Sequence, residues 1–254
     1  MSDAKTAERA LALLDLTDLS DDASEASLAA LCEKAVSGPV PVAAICIWPR
    51  FVAKARTILG PDSPVKIATV VNFPDGGTPI VPVNLETEKA IADGADEIDM
   101  VLPWHGVIAG QTAQAAAMLR NVRMRCGEKT LKVILETGEY PDPGKIRPAA
   151  ELAIAGGADF IKTSTGKTAT SATPEAVRTM LMVIGMAGRP VGIKPSGGIR
   201  TLADASAYLA MADAIMGPGW VSPGTFRFGA SGLYDALVAA IRGEDATPRP
   251  EGRY

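Results

Sequence analysis

Histidine is almost missing from this chain of 254 residues, with His105 the single copy. One histidine excludes a multi-histidine metal site and leaves one candidate for a histidine-based relay. It falls in Pro103-Trp104-His105-Gly106, just past an apolar run, and reads as a loop residue. Cysteine is scarce as well. Cys32, Cys46 and Cys126 are odd in number and far apart, which excludes a disulfide framework and a CxxC zinc or redox motif. Nor is there an excess of positive charge: 25 Lys and Arg against 29 Asp and Glu give a net charge of −4. No basic stripe offers itself to a nucleic acid backbone. No apolar stretch of about 18 residues could span a bilayer, and Met1 to Glu8 lack the apolar segment of an export signal. A soluble protein of the reducing cytosol is expected. Walker loops and dinucleotide fingerprints are missing too.

What the chain does have is 47% hydrophobic residues, enough for one large core and better suited to one big domain than to two small ones. Eight short β-type runs can be read: Leu13 to Thr17, Val42 to Trp48, Val65 to Phe73, Ala95 to Leu102, Leu131 to Thr137, Ala158 to Thr165, Val191 to Lys194 and Phe226 to Ala230. Most are trailed by alanine-rich helical stretches: Asn84 to Ile91, Gln111 to Arg125, Ile146 to Ala155, Pro174 to Met186 and Leu202 to Ala212. Thr173-Pro174-Glu175 is a good helix start, and Gly94, Gly127 and Gly156-Gly157 stand where helices should stop. Alternating βα units imply a parallel sheet, and eight of them imply a closed (β/α)8 TIM barrel, here over residues 1–242. From Gly243 to Tyr254 the chain turns polar and proline-containing and reads as a mobile tail.

Lysines recur once per unit. Lys132 to Lys162 is 30 positions and Lys162 to Lys194 is 32, against about 31 per βα unit in a typical barrel. Strand residues alternate between lumen and helix layer. Ile98, Met100 and Leu102 oppose Glu97, Asp99 and Val101; Leu131, Val133 and Leu135 oppose Lys132, Ile134 and Glu136. With the apolar sets placed under the helices, the lumen receives Asp15, Thr17, Cys46, Asn72, Asp99, Lys132, Glu136, Lys162 and Lys194. A barrel built only for stability fills these layers with Val, Ile and Leu. Parity alone leaves two readings open, a self-satisfied ion network or an active site of mutually perturbed groups. Lys162 and Lys194 each end an apolar run and precede a glycine-bearing turn. A primary amine in an apolar frame beside a second cation can lose its proton and attack a carbonyl, which is imine chemistry without cofactor or metal. Cys46 reads as a small buried filler rather than a nucleophile.

Ser196-Gly197-Gly198-Ile199-Arg200 follows the seventh run and Gly229-Ala230-Ser231-Gly232 the eighth. In such barrels these two turns often bind a phosphate through backbone N–H groups and a helix start. Each alone could be only a tight turn. Paired, and with Lys167 after the sixth run as an added cation, they point to a phosphorylated small substrate.

The runs Ala44-Ile45-Cys46-Ile47, Asn72-Phe73-Pro74, Gly94 to Asp99, Leu131 to Gly138, Ala158 to Lys167, Lys194 to Arg200 and Arg227 to Ser231 resemble the 2-deoxyribose-5-phosphate aldolase family. The likeness extends from about Leu11 to about Arg242. It implies a cytoplasmic lyase of deoxyribose phosphate catabolism with no cofactor, acting on a phosphorylated aldehyde sugar, and a homodimer. By the same resemblance Lys162 is the Schiff-base lysine, Lys194 the neighbouring cation that activates it, and Asp99 the acid/base. Asp15, Thr17, Cys46, Lys132 and Thr165 would line the pocket, while Lys167, Gly197, Gly198 and Ser231 would hold the phosphate. Tyr254 matches a C-terminal tyrosine linked to proton transfer in some members. Gly232 departs from the family, where many members carry a second serine. A different imine-forming aldolase or transaldolase, or a non-catalytic phosphate-sensing barrel, is the competing expectation.

Overall fold

The computed structural model describes residues 2–244. The chain opens with helix α1 (Asp3–Leu11), then strand β1 (Leu14–Asp18) and α2 (Glu25–Ser37). Next come β2 (Ala44–Ile47), α3 (Val52–Leu59), β3 (Lys66–Val71) and α4 (Ile80–Ala92). β4 (Glu97–Val101), the short α5 (Trp104–Ile108), α6 (Thr112–Cys126) and β5 (Thr130–Ile134) follow. α7 (Ile146–Ala155), β6 (Phe160–Lys162), α8 (Pro174–Gly185) and β7 (Gly192–Lys194) lead to α9 (Leu202–Met216), β8 (Phe228–Ala230) and α10 (Leu233–Arg242). Residues 245–254 lie outside the described part.

All eight strands run parallel, in the order β7-β6-β5-β4-β3-β2-β1-β8. The ring closes between β7 and β8 through Arg227 N–H to Ile193 C=O at 2.9 Å, Gly229 N–H to Pro195 C=O at 2.8 Å and Gly197 N–H to Gly229 C=O at 3.1 Å. Pro195 has no N–H to give, so this seam is an interrupted ladder rather than a continuous one. The architecture is the expected (β/α)8 barrel.

Alternation decides what each strand buries. Ile98, Met100, Leu102, Leu131, Val133, Leu135, Ile161, Ile193, Phe226 and Phe228 belong to the apolar layer shared with the helices. Each fully buried Leu or Ile there contributes about 1.5–3 kcal/mol. Facing the other way, Ala44, Cys46, Ala68 and Val70 form a second, smaller apolar group with Leu19, roofed by Trp48 and Phe73 in edge-to-face contact at 5.6 Å. That group lines one side of the lumen.

Strands end sooner than their apolar runs suggest. Asn72 and Glu136 adopt left-handed backbone, with φ of 56° and 58°, which breaks the pleat and stops β3 and β5 short of Phe73 and Thr137. Asn72 is consequently not in the lumen. Its Nδ2 donates to Gly77 C=O and Val101 C=O, both at 2.9 Å, and reaches Met118 Sδ on α6. His105 belongs to α5 rather than to a loop; its ring stacks on Trp104 at 3.5 Å and it is exposed. Helices α1, α2, α3, α5 and α10 are structural findings beyond the five read from the sequence.

Two matching clamps tie strands together at their amino ends. Arg56 of α3 donates to Gly94 C=O and to Asp96 Oδ2, which also accepts Ile67 N–H at 3.0 Å. Arg123 of α6 donates to Gly157 C=O and to Asp159 Oδ2, which also accepts Leu131 N–H at 2.8 Å. The repeated Gly-Ala-Asp of Gly94-Ala95-Asp96 and Gly157-Ala158-Asp159 thus does the same mechanical job two strands apart. Asp96 and Asp159 each give a backbone donor at a strand start a charged acceptor, which also fixes the register of the neighbouring strand.

Candidate active site

Register brings the lysines together. Lys162 on β6 pairs directly with Lys194 on β7, and Asp99 on β4 with Lys132 on β5. All four are buried within the lumen. Lys162 Nζ donates to Asp99 Oδ2 at 2.9 Å and Lys194 Nζ to the same oxygen at 2.7 Å, while Lys132 Nζ takes Asp99 Oδ1 at 2.9 Å. Lys194 also pairs with Asp15 Oδ2 at 2.6 Å, and Lys132 with Glu97 Oε2 at 2.5 Å and Asp15 Oδ2 at 3.5 Å. Beneath them Arg227 joins Asp15 at 2.6 Å and Glu97 at 2.9 Å.

Room for the long cations comes from small neighbours. A Cβ on Gly229 would stand 3.0 Å from Cε of Lys194 and 2.6 Å from Oγ of Ser196, so only glycine lets Lys194 cross the lumen there. Cys46 lies in the smaller apolar group on the opposite wall, and burial raises its thiol pKa, which Lys194, Lys162 and Lys132 partly counter. Thr17 faces the lumen but turns its hydroxyl back to Asp15 C=O at 2.8 Å.

Charges in the cluster hold one another in their ionised forms. Burial pushes the Asp99 carboxyl up, but Lys132, Lys162 and Lys194 outweigh it and hold it well below the usual carboxylate range. Asp15 behaves likewise, burial being outweighed by Lys194, Arg227 and Lys132. Burial alone would lower Lys194; Asp15 and Asp99 instead keep it well above the ordinary lysine value. Lys132 is raised for the same reason by Asp99, Glu97 and Asp15. Lys194 is therefore a standing cation next to Lys162, and Asp99 a standing anion between them.

The loops at the carboxyl ends carry the remaining predicted residues. Glu136 is buried, and its carboxylate accepts Thr165 N–H at 3.1 Å and the Thr168 hydroxyl at 3.4 Å. Burial raises its pKa, which those bonds and Lys162 partly counter. Thr165 Oγ1 in turn accepts Lys167 N–H at 3.0 Å. Lys167 reaches across the mouth to Asp21 at 3.5 Å and lies 5.9 Å from the Trp48 ring. Gly197 has φ of 79°, and a Cβ there would meet Ser171 Oγ at 2.4 Å; Gly198, at φ 76°, is open to solvent. Ser231 is exposed just before α10, whose N-cap Gly232 supplies no side-chain bond. Helix α9, by contrast, is sealed by the reciprocal Thr201 and Asp204 capping box. Tyr254 lies outside the described residues.

Glu97 and Arg227 belong to the cluster although neither was singled out from the sequence. Glu97 shares the parity of Asp99, and Arg227 that of Gly229 and Ser231, which is the signal that was there to use. Among the described residues no group of three or more His, Cys, Asp or Glu is placed to hold a metal ion, and no helix is long and apolar enough to cross a membrane. Two clefts of about 390 and 290 Å³ lie between α7 and α8 on the outer wall, and no residue of the lumen cluster lines either.

A (β/α)8 barrel in which Lys162 and Lys194 end β6 and β7 beside the buried Asp99 has the layout of an enzyme of this fold. The profile of the DeoC/LacD family aldolases matches residues 9–231. The chain belongs to that family. It is 50% identical over 249 residues to the deoxyribose-phosphate aldolase of Agrobacterium fabrum, a match that covers 98% of this chain and 96% of the relative. Among solved structures, the apo form of a Toxoplasma gondii ME49 protein provisionally assigned as a deoxyribose-phosphate aldolase superposes with a TM-score of 0.87 at 30% identity, covering 96% and 99% of the two chains. A tetrameric deoxyribose phosphate aldolase from Aeropyrum pernix shares the fold at a TM-score of 0.73 and 22% identity, over 94% and 96%.

Proposed function

We propose that this aldolase cleaves 2-deoxy-D-ribose 5-phosphate reversibly to D-glyceraldehyde 3-phosphate and acetaldehyde through an imine on Lys162. The observation that carries the reading is the shared acceptor: Lys162 and Lys194 both end on Asp99 Oδ2 in a buried lumen. Among the described residues Lys162 has Asp99 as its one ion-pair partner, whereas Lys194 has two and Lys132 three. Among the lumen lysines it is the one whose loss of a proton breaks the fewest contacts.

The uncharged amine of Lys162 adds to the C1 aldehyde of the open-chain sugar, and loss of water gives a protonated imine. A base removes the C3 hydroxyl proton, the C2–C3 bond breaks, and its electron pair flows into the imine to leave an enamine. Glyceraldehyde 3-phosphate departs as the carbonyl product. Protonation at C2 and addition of water then release acetaldehyde and the free amine. Asp99, ionised at rest, is placed to take and return protons with a water. Lys194, a standing cation, polarises the reacting oxygens. The Gly197-Gly198 turn, Ser231 with the uncapped start of α10, and Lys167 bind the phosphate. Thr17, Cys46 and Thr165 complete the lining, and the apolar side around Ala68 and Val70 accommodates the two-carbon fragment.

Borohydride is expected to leave an N-ethyl group on Lys162 when added with acetaldehyde, and an N-ethyl group or the reduced sugar phosphate when added with 2-deoxyribose 5-phosphate, located by peptide mass spectrometry. Adduct on another lysine, or none, would overturn the assignment. Glyceraldehyde 3-phosphate formed from 2-deoxyribose 5-phosphate and not from fructose phosphates separates this reading from other imine-forming aldolases. A homodimer in the cytosol completes the proposal; Val81 and Leu85, exposed one turn apart on α4, supply an apolar stripe for such contact. Light scattering tests it.

A further inference from the structure

Arg227 is buried at the foot of β8, and no step of the reaction above uses it. Its guanidinium is held from several directions. Nη1 donates to Asp15 Oδ1 at 2.6 Å, Nη2 to Glu97 Oε1 at 2.9 Å and Nε to Pro223 C=O at 2.5 Å, with the Phe160 ring 5.7 Å away. The other oxygen of Asp15 lies 2.6 Å from Lys194 Nζ, and Lys194 meets Asp99 at 2.7 Å, where Lys162 also ends.

We infer that Arg227 is a positioning residue: by gripping one oxygen of Asp15 it fixes the other against Lys194, and so sets where the second lysine stands relative to Lys162. The inference rests on the imine reading of Lys162. A lysine head on a four-carbon stem goes where its carboxylates are, whereas an arginine fork is planar and rigid. The rigid member of the cluster therefore dictates the place of the flexible one. Glu97 serves as the second post for the fork, which explains a buried carboxylate too deep to touch substrate.

Charge is the second consequence. Asp15, Cys46, Asp99, Lys132 and Lys162 face Lys194 from β1, β2, β4, β5 and β6. Arg227 acts on it through Asp15. Without Arg227, Asp15 draws harder on Lys194 and Lys132, and the lumen loses one positive charge.

The test compares wild type, R227M and R227K by steady-state cleavage of 2-deoxyribose 5-phosphate and by the pH dependence of borohydride trapping. In folded R227M, kcat is expected to fall by about 10²-fold through misplacement of Lys194, with KM nearly unchanged. The rising limb of trapping should also move to higher pH, because a cation has left the surroundings of an amine that reacts only uncharged. R227K keeps the charge but cannot hold Asp15 and Glu97 together; its limb should stay with wild type while kcat remains about tenfold down. Wild-type kcat and an unmoved limb in R227M, or a limb in R227K displaced as far as in R227M, would overturn the inference. Should R227M fail to fold, a folded R227K with wild-type kcat overturns it. Absence of trapping in the wild type is a different result and counts against the imine itself.

Discussion

Lys162 and Lys194 donate to a single oxygen, Oδ2 of Asp99, from directly opposed positions on neighbouring strands. Four cations, Lys132, Lys162, Lys194 and Arg227, pair there with three carboxylates, Asp15, Glu97 and Asp99. Lys162 is the cation those carboxylates can spare. K162M is expected to lose turnover on the order of 10⁴-fold or more and yet to melt at or above the wild-type temperature. K132M removes a partner from all three carboxylates and is expected to cost about 3–5 kcal/mol. Calorimetry on the two variants checks the contrast, and a K162M protein much less stable than K132M would contradict it.

Asp99 is the acceptor for three lysines, so D99N tests chemistry and architecture together. Loss of a well-placed acid/base lowers kcat by about 10²–10⁴. Since the proposed phosphate contacts lie elsewhere, KM should move only slightly. A large rise in KM with kcat preserved would assign Asp99 to substrate binding instead.

The lumen also fixes the shape of the stability curve against pH. Asp15 and Asp99 have depressed pKa values in the fold. Their contribution is complete above the unfolded carboxylate value of about 3.9 and is lost as pH falls through the folded values. Lys132 and Lys194 are raised, so theirs is complete below about 10.4 and is lost as pH climbs through the folded values. The difference in melting temperature between wild type and D15N should be flat from about pH 5 to about pH 9 and should shrink in stronger acid. A gap that peaks near neutrality would show that another group controls it.

At the amino ends of the strands, D159A leaves Leu131 N–H without its acceptor and Arg123 without its carboxylate. About 1–3 kcal/mol of stability should go. Activity should not, because the clamp sits at the end of the barrel opposite the lysines. Urea unfolding beside steady-state assays reads both, and a loss of kcat comparable to that of D99N would refute the separation.

Thiol chemistry should be silent in the native protein. Burial pushes Cys32 and Cys126 up to about 11 and raises Cys46 as well, so little thiolate exists near neutrality. Ellman's reagent at mildly alkaline pH is expected to modify none of the three quickly and all of them in denaturant. Rapid native labelling at any one would show that its surroundings open.

The barrel and most of its lumen were legible because two periods are strong in this chain, the two-residue alternation of strands and the recurrence of lysine once per βα unit. Where a period is short or broken, reading stops. Arg227 falls inside the eighth run, between Phe226 and Phe228, but just before a β8 of three residues, so its parity rests on that one apolar pair and on the small residues that follow. Asn72 follows the alternation on paper, but its left-handed backbone turns the side chain toward α6. Helix α2 begins with a Ser24 and Ser27 box, lacking the Glu or Gln that usually marks such a start. α10 has helical spacing in Leu233, Leu237 and Ile241 but opens on Gly232, with no capping side chain. The short α1 buries only Ala7, Ala10 and Leu11, a weak apolar face.

A barrel lumen that holds ion pairs along much of its wall limits how such a scaffold can be hardened for use. Filling the lumen with the branched aliphatic residues that dominate most barrel interiors would here remove the proposed site. Improvement has to come from the outer coat, where the helices, their caps and the basal clamps can be altered without disturbing the ionic hub.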